Sequence, residues 1–125
     1  MQNRRKNERE GRKAEARVAA YIRLRGYKIL AERFKTPYGE VDLIAQKGKT
    51  LAFVEVKQRA SQRAIDESMN WRSEQRIIDS AEIWIEKNFA QLPRNFEIRF
   101  DFASIIGPVS PLCYVTYLKG AFRPD

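Results

Sequence analysis

Two short apolar segments, residues 39–45 and 51–57, carry charged side chains where a protein core is expected. Their β-branched and aromatic residues predict two strands, and Lys47-Gly48 between them predicts a short turn. Such a turn folds the second strand back antiparallel to the first, so that the two are neighbours in one sheet. The fold must therefore contain a sheet that accepts charge close to its core.

The charged residues of these two strands occupy positions where they can meet. Because side chains alternate between the two faces of a strand, Glu55 and Lys57 point the same way. Asp42, on the neighbouring strand, approaches both of them. Buried carboxylates need a partner or a metal, since burying an unpaired charge is costly. We therefore predict a carboxylate cluster that binds a divalent cation, with the Lys57 ammonium beside it.

An amphipathic helix is predicted over residues 8–25. Glu15 shares an inward stripe with Val18 and Ile22, because these residues recur at intervals of three and four. Two interpretations of Glu15 stay open. It is either a glutamate at the edge of the core that binds a backbone amide or an arginine, or a third carboxylate of the predicted cluster.

Apolar runs and chain breaks define the remaining elements. We predict strands over residues 27–34, 96–103 and 112–118, a helix over residues 70–88, and an exposed polar loop over residues 58–70. In the strand over 96–103, aromatic residues alternate with polar ones, which places Phe100 in the core and Asp101 on the polar face.

These elements predict one α/β domain over residues 1–125, with a flexible basic segment over residues 1–9. Its five-stranded sheet starts as an antiparallel meander and is flanked by helices.

Composition excludes several kinds of catalytic and metal site. The chain has no histidine and one cysteine. A Ser-His-Asp triad, a histidine-ligated zinc site and a site built from several thiolates are therefore impossible. No apolar run is long enough to span a membrane, and the charged N-terminus lacks the apolar centre of a signal peptide. We expect a cytoplasmic protein without a membrane partner.

The net charge favours a polyanionic partner. The chain carries 24 lysine and arginine residues against 16 acidic ones, a formal net charge of +8. An excess of this kind is typical of proteins that bind nucleic acid. We assign four cations to a rim that contacts phosphates around the acidic site: Arg33, Lys35, Arg59 and Arg63. The alternative is that these residues only keep the surface solvated.

The predicted cluster suits metal-assisted hydrolysis of a phosphodiester. Mg²⁺ prefers oxygen ligands and keeps several waters, so Asp42 and Glu55 together with a substrate oxygen suffice to hold it. Lys57 then either stabilises the negative charge that develops at phosphorus, or positions and deprotonates the attacking water. Both roles of Lys57 stay open.

Motifs along nearly the whole chain occur in an order and spacing that resembles a known family. They are Gly11, Glu15-Ala16, Tyr21, Gly26-Tyr27, residues 39–45, residues 53–59 and Arg99-Phe100-Asp101-Phe102. The family is the YraN-like family of bacterial proteins. It resembles a branch of the PD-(D/E)XK nuclease superfamily and is similar to archaeal Holliday-junction resolvases.

The resemblance implies a restriction-endonuclease-like fold with a central mixed sheet, and an endonuclease that uses Mg²⁺ or Mn²⁺ to hydrolyse DNA, including branched DNA. Asp42, Glu55 and Lys57 match the catalytic Asp and Glu-x-Lys set. Glu15 matches the helix glutamate that completes the metal site in resolvase-like members. Resolvase-like nucleases commonly act as dimers, so a homodimer is also implied.

Two departures from the family pattern concern substrate contacts. Glu32 stands where the family often has asparagine, and the start of the second predicted helix lacks a frequent lysine. Two further hypotheses therefore stand beside the nuclease. One is a nucleic-acid-binding protein that keeps the fold without turnover, and the other is an adaptor in which the carboxylates form only a structural charge network.

Overall fold

The protein is built on one mixed sheet of five strands, seen in a computed structural model that describes residues 2–124, with side chains from residue 7 onward. The strands are β1 (Lys28–Thr36), β2 (Gly39–Lys47), β3 (Thr50–Arg59), β4 (Glu97–Ile106) and β5 (Thr116–Phe122). The helices are α1 (Gln2–Arg23), α2 (Gln62–Ser68) and α3 (Trp71–Asn88), and a short 3₁₀ turn (Phe89–Gln91) follows α3. None of these described helices is long and apolar enough to cross a membrane.

The strands lie side by side in chain order, from β1 to β5. All neighbours pair antiparallel except β3 and β4, which run parallel. A parallel pair needs a long crossover, and α2 and α3 supply it. The predicted α/β class is confirmed, with a meander of three strands followed by a mixed sheet.

Each face of the sheet is covered by a helix, which gives the protein two apolar clusters. On one face α1 contributes Val18 and Ile22, which pack with Val54 and Val56. On the other face α3 contributes Trp84, which packs with Phe53 and Phe100. Strand β3 is consequently buried on both faces, which explains why its sequence is nearly continuous in apolar residues.

The predicted exposed loop over residues 58–70 is wrong. Strand β3 continues to Arg59, and α2 occupies most of the remainder. The Ser61 side chain caps α2 by accepting a hydrogen bond from the Ala64 amide, and Ile65 is fully buried. Polar composition concealed this helix because a single apolar side chain anchors it.

The flexible basic segment predicted over residues 1–9 is helical from Gln2, because α1 begins there rather than near Glu8. The stretch before Gly11 consists mainly of residues with good helix propensity and contains no proline or glycine. Nothing in the local sequence therefore stops the helix from extending in that direction.

The last strand lies later in the chain than the predicted 112–118. Leu112 and Tyr114 are 91% and 84% exposed, and the Cys113 carbonyl accepts a hydrogen bond from Arg17 of α1. The chain pairs with β4 only from Thr116, so residues 107–115 form a connection rather than a strand.

Asp101 is fully buried, so the prediction that it lies on a polar face is wrong. The Arg99 guanidinium donates to both carboxylate oxygens at 2.8 Å, the Tyr117 hydroxyl donates at 2.6 Å and the Gly120 amide at 2.9 Å. Burial and the hydrogen bond to Asp101 raise the pKa of Tyr117. The alternating pattern was a poor guide here because Arg99 and the β5 residues Tyr117 and Gly120 surround the carboxylate and satisfy it with hydrogen bonds.

Replacing Asp101 with alanine should lower the free energy of unfolding by about 3–5 kcal/mol, because it leaves the Arg99 charge and the Tyr117 hydroxyl without their acceptor. Urea denaturation of the wild type and the variant measures the difference. Glu67→Ala is the matched control, since Glu67 pairs with Arg63 on the exposed surface of α2, and its loss should cost less than about 1 kcal/mol. Equal losses for the two variants would contradict the assignment.

Candidate functional site

Strand β2 is irregular at Asp42, and the Asp42 carboxylate lies towards the neighbouring strand β3. Val41 packs in the cluster under α3, whereas Leu43 packs in the cluster under α1. Residues two apart in a regular strand share a face, so β2 twists at Asp42. The Asp42 Oδ2 accepts a hydrogen bond of 2.7 Å from the Val56 amide of β3. Asp42 is thereby held against the strand that carries Glu55 and Lys57.

Glu55 and Lys57 form an ion pair on one face of β3. The Lys57 Nζ lies 3.2 Å from the Glu55 Oε1, which confirms the prediction that they point the same way. The Glu55 side chain is 8% exposed and the Lys57 side chain is 27% exposed. The carboxylate is therefore nearly closed off from solvent, while the ammonium remains accessible.

The electrostatic environment of Asp42 includes Glu15, Glu55 and Lys57. The pKa of Asp42 is raised from 3.8 to about 7, first by burial and then by the charges of Glu15 and Glu55. The hydrogen bond from the Val56 amide and the charge of Lys57 oppose that rise. The register of β2 and β3, in which Leu43 pairs with Val54, and the bond to the Val56 amide both place Asp42 on the side of β2 that faces the strand of Glu55 and Lys57. The surroundings disfavour the ionised form of Asp42, and a nearby cation would stabilise that form.

Glu15 fits the interpretation in which it binds an arginine, and it also acts on the cluster. The Arg33 Nε donates to the Glu15 Oε1 at 2.8 Å. Burial raises the pKa of Glu15, and Arg33 opposes the rise. Arg33 has a backbone φ of 49°, in the left-handed region that residues other than glycine rarely adopt. The contact that holds Glu15 is therefore made by a strained residue.

The donor chemistry of the site suits a hard cation, but the ligands are not gathered. Among the described residues, no group of three or more acidic or thiol side chains lies close enough to hold a metal ion. Glu15 is turned to Arg33, and Asp42 is turned to the Val56 amide. Asp42 and Glu55 nevertheless provide the oxygen ligands that Mg²⁺ prefers. The charge of Glu55 disfavours ionised Asp42, and a bound cation would offset that repulsion.

The four predicted phosphate-binding cations lie on three elements, β1, β3 and α2. Arg59 lies two residues after Lys57 at the end of β3, and Arg33 lies over Glu15. Lys35 is exposed on β1, and Arg63 is exposed on α2, where it pairs with Glu67. Of the four, Arg33 contacts the predicted site through Glu15, and Arg59 lines the same cleft as Lys57.

A cleft of about 880 Å³ lies beside Lys57, and sequence reasoning did not find it. Its walls are α1, the end of β3 and the Gly107-Pro108 turn after β4; the lining residues are Asn7, Glu10, Gly11, Ala14, residues 56–60, Gly107 and Pro108. The Gln58 side chain donates to the Gly107 carbonyl across one wall. The only local signal was the polar continuation of β3 past Lys57, which sequence reasoning assigned to a loop.

Comparison with known proteins identifies relatives over most of the chain. Residues 14–105 match the Uncharacterised protein family UPF0102, in agreement with the motif resemblance. A UPF0102 protein of Rhodopseudomonas palustris (strain BisB18) is 48% identical over 102 residues, which cover 82% of this chain and 73% of that protein. The UPF0102 protein bll0669 of Bradyrhizobium diazoefficiens is 46% identical over 104 residues, which cover 82% of this chain and 74% of that protein.

The raised pKa of Asp42 makes the metal-free protein less stable as pH rises. The folded state keeps a proton that the unfolded state loses above pH 3.8, so stability falls between about pH 4 and pH 7 and then levels off. Asp42→Asn removes this titration and should be more stable than the wild type at pH 8 by on the order of 3 kcal/mol.

The advantage of Asp42→Asn should shrink towards pH 4, where folded Asp42 is protonated and unfolded Asp42 is close to half protonated. Urea denaturation in EDTA at pH 4, 6 and 8 measures it. Glu86→Gln, an exposed change on α3, serves as the control and should leave the pH dependence unchanged. If the difference in stability between Asp42→Asn and the wild type did not depend on pH, the pKa of Asp42 would not be raised in the folded state.

Proposed function

We propose that this chain, which belongs to the UPF0102 family, is a metal-dependent endonuclease of the PD-(D/E)XK type that hydrolyses phosphodiester bonds in DNA. The observation that supports the proposal is the position of Asp42, which is held by the Val56 amide against the strand that carries the Glu55–Lys57 ion pair and whose pKa is raised by burial and by nearby carboxylates. Carboxylates held together in this way are typical of functional sites, because ordinary cores avoid them.

Asp42 and Glu55 are the residues that would hold Mg²⁺ or Mn²⁺, and Glu15 would complete the set after leaving Arg33. When bound, the metal supplies a Lewis acid for the phosphate and a site where water is acidified.

Lys57 is the residue proposed to act on the reacting atoms. Its ammonium is held by Glu55 and is partly exposed, so it can reach a phosphate bound beside the carboxylates. There it stabilises the negative charge that develops at phosphorus, or positions the water that attacks. Glu55 would thus have two tasks, metal binding and orientation of Lys57.

DNA is proposed as the substrate because of charge. The net charge of +8 attracts a polyanion, and Arg59 lines the same cleft as Lys57, where it would contact a phosphate. Branched DNA follows from the family resemblance. Because paired cuts on a two-fold junction require two sites, junction cleavage would also require a homodimer.

A second candidate is a nucleic-acid-binding protein with the nuclease fold and no turnover. The observation that favours it is the contact between Glu15 and Arg33, which keeps the third carboxylate away from a metal. This candidate shares the salt-dependent binding of the nuclease and differs in the absence of cleavage. An adaptor function would involve neither metal nor DNA.

Adding Mg²⁺ or Mn²⁺ should raise the midpoint of thermal unfolding of the wild type, because a ligand that binds only the folded state stabilises it. At ten times the dissociation constant the gain is about 1.4 kcal/mol. Asp42→Asn and Glu55→Gln should lose the response, and Glu86→Gln should keep it. Equal shifts in all four proteins would locate the metal elsewhere.

Cleavage of labelled linear, flapped, single-stranded and four-way-junction DNA should require a divalent metal and should fall at least about 100-fold in Lys57→Ala and in Asp42→Asn. Lys28→Ala is the matched control, because Lys28 is exposed at the start of β1. This variant should cleave DNA like the wild type.

The result distinguishes the two candidates. Binding without cleavage under every metal would support the protein without turnover. Cleavage that survives in both site variants would contradict the assigned residues.

A further inference from the structure

The cleft beside Lys57 is lined by the first part of α1. The inward-facing stripe of this helix packs on the sheet only further along the chain. Val18 and Ile22 of this stripe pack on the sheet, and Ala14 is buried at its edge. One and two turns earlier, the same stripe presents Gly11 and Asn7 to the cleft. The stripe thus changes from apolar to small and polar residues where the sheet no longer lies beneath it.

Gly11 has no steric reason within the described chain to lack a side chain. A Cβ built at this position would meet no atom within 4 Å, and the residue is not among those with positive φ. Glycine in the interior of a helix is less favourable than alanine, so it costs helix stability here. The space over Gly11 opens into the cleft and would be narrowed by any larger side chain.

The walls of the cleft match the parts of a nucleotide. Lys57 and Arg59 on the β3 side offer positive charge for a phosphate, while Gly11, Ala14 and Pro108 offer surface for a sugar and base. On the α1 side, Asn7 and Glu10 offer hydrogen-bonding groups to a base edge. The Glu10 carboxylate also pairs with the Lys13 ammonium at 3.5 Å.

The size of the cleft favours an unpaired nucleotide over a paired one as its ligand. A volume of about 880 Å³ is in the range of small-molecule sites, roughly 300–1,000 Å³. It has the volume of one or two nucleotides. A base that is still paired and stacked cannot enter such a cleft, whereas one at a flap, branch or single strand enters at little cost.

We infer that the cleft under Gly11 binds an unpaired nucleotide of the substrate strand next to the phosphate held at Lys57. This inference rests on the proposed function and names its substrate class, DNA that is unpaired beside the cut. Gly11 is then a specificity-determining residue, since its missing side chain leaves room for the base.

Binding in EDTA tests the inference without depending on catalysis. The probes are a labelled duplex with a single-stranded flap, the matched full duplex, and the same flap with abasic sites at its first unpaired positions. Fluorescence anisotropy compares the wild type with Gly11→Leu, which fills the cleft, and Gly11→Ala, which adds one methyl group. Ala20→Leu is the control, because Ala20 is exposed on the opposite face of α1.

The wild type should bind the flapped duplex about tenfold more tightly than the full duplex, and the abasic flap should lose this preference. Gly11→Leu should abolish the preference with little change in affinity for the full duplex, and Gly11→Ala should reduce it. Ala20→Leu should retain it. Thermal unfolding should show a higher midpoint for Gly11→Ala than for the wild type, so a weaker preference in that variant cannot result from misfolding.

A wild-type preference that persists in Gly11→Leu would overturn the inference, as would equal wild-type affinity for flapped and full duplex. These results differ from failure of the proposed function itself, in which the wild type neither binds nor cleaves any of the DNAs. Metal-dependent cleavage without a flap preference would leave the nuclease standing and refute only the role of the cleft.

Discussion

Strand β3 imposes the constraint on which the rest of the structure depends. It is covered by α1 on one face and α3 on the other, and it pairs antiparallel with β2 and parallel with β4. A strand in that position is expected to be wholly apolar. It nevertheless carries Glu55 and Lys57 at the end where the sheet gives way to the cleft. The protein thus uses its most buried strand to position charge.

The electrostatics of the site distinguish it from a structural charge network. Asp101 is also a buried acid, and four hydrogen bonds satisfy it completely. Asp42 accepts one such bond, from Val56, and lies in the field of two other carboxylates. Hydrogen bonds compensate for the burial of Asp101, whereas the surroundings of Asp42 disfavour its ionised form. That contrast within a single chain supports a functional role for Asp42.

Local patterns predicted the parts of the fold and site that depend on neighbouring residues. The turn at Lys47-Gly48 and strand alternation were sufficient to place Asp42 beside Glu55 and Lys57. Features that depend on distant packing could not be predicted: the burial of Asp101 requires Tyr117 and Gly120, and the cleft requires α1 to extend beyond the sheet. The helix α2 was missed for a related reason, because its single buried anchor gives no periodic signal.

The central claim is that the carboxylates around Asp42 are held for a divalent cation. Calorimetric titration of Mn²⁺ at pH 6, in two buffers of different ionisation enthalpy, tests it most directly because it counts protons as well as metal. With a pKa of about 7, Asp42 is mostly protonated at pH 6, so binding should release about one proton per metal. Asp42→Asn should show neither the binding nor the release. Mn²⁺ binding that is unchanged in Asp42→Asn, or no binding to the wild type, would contradict the account.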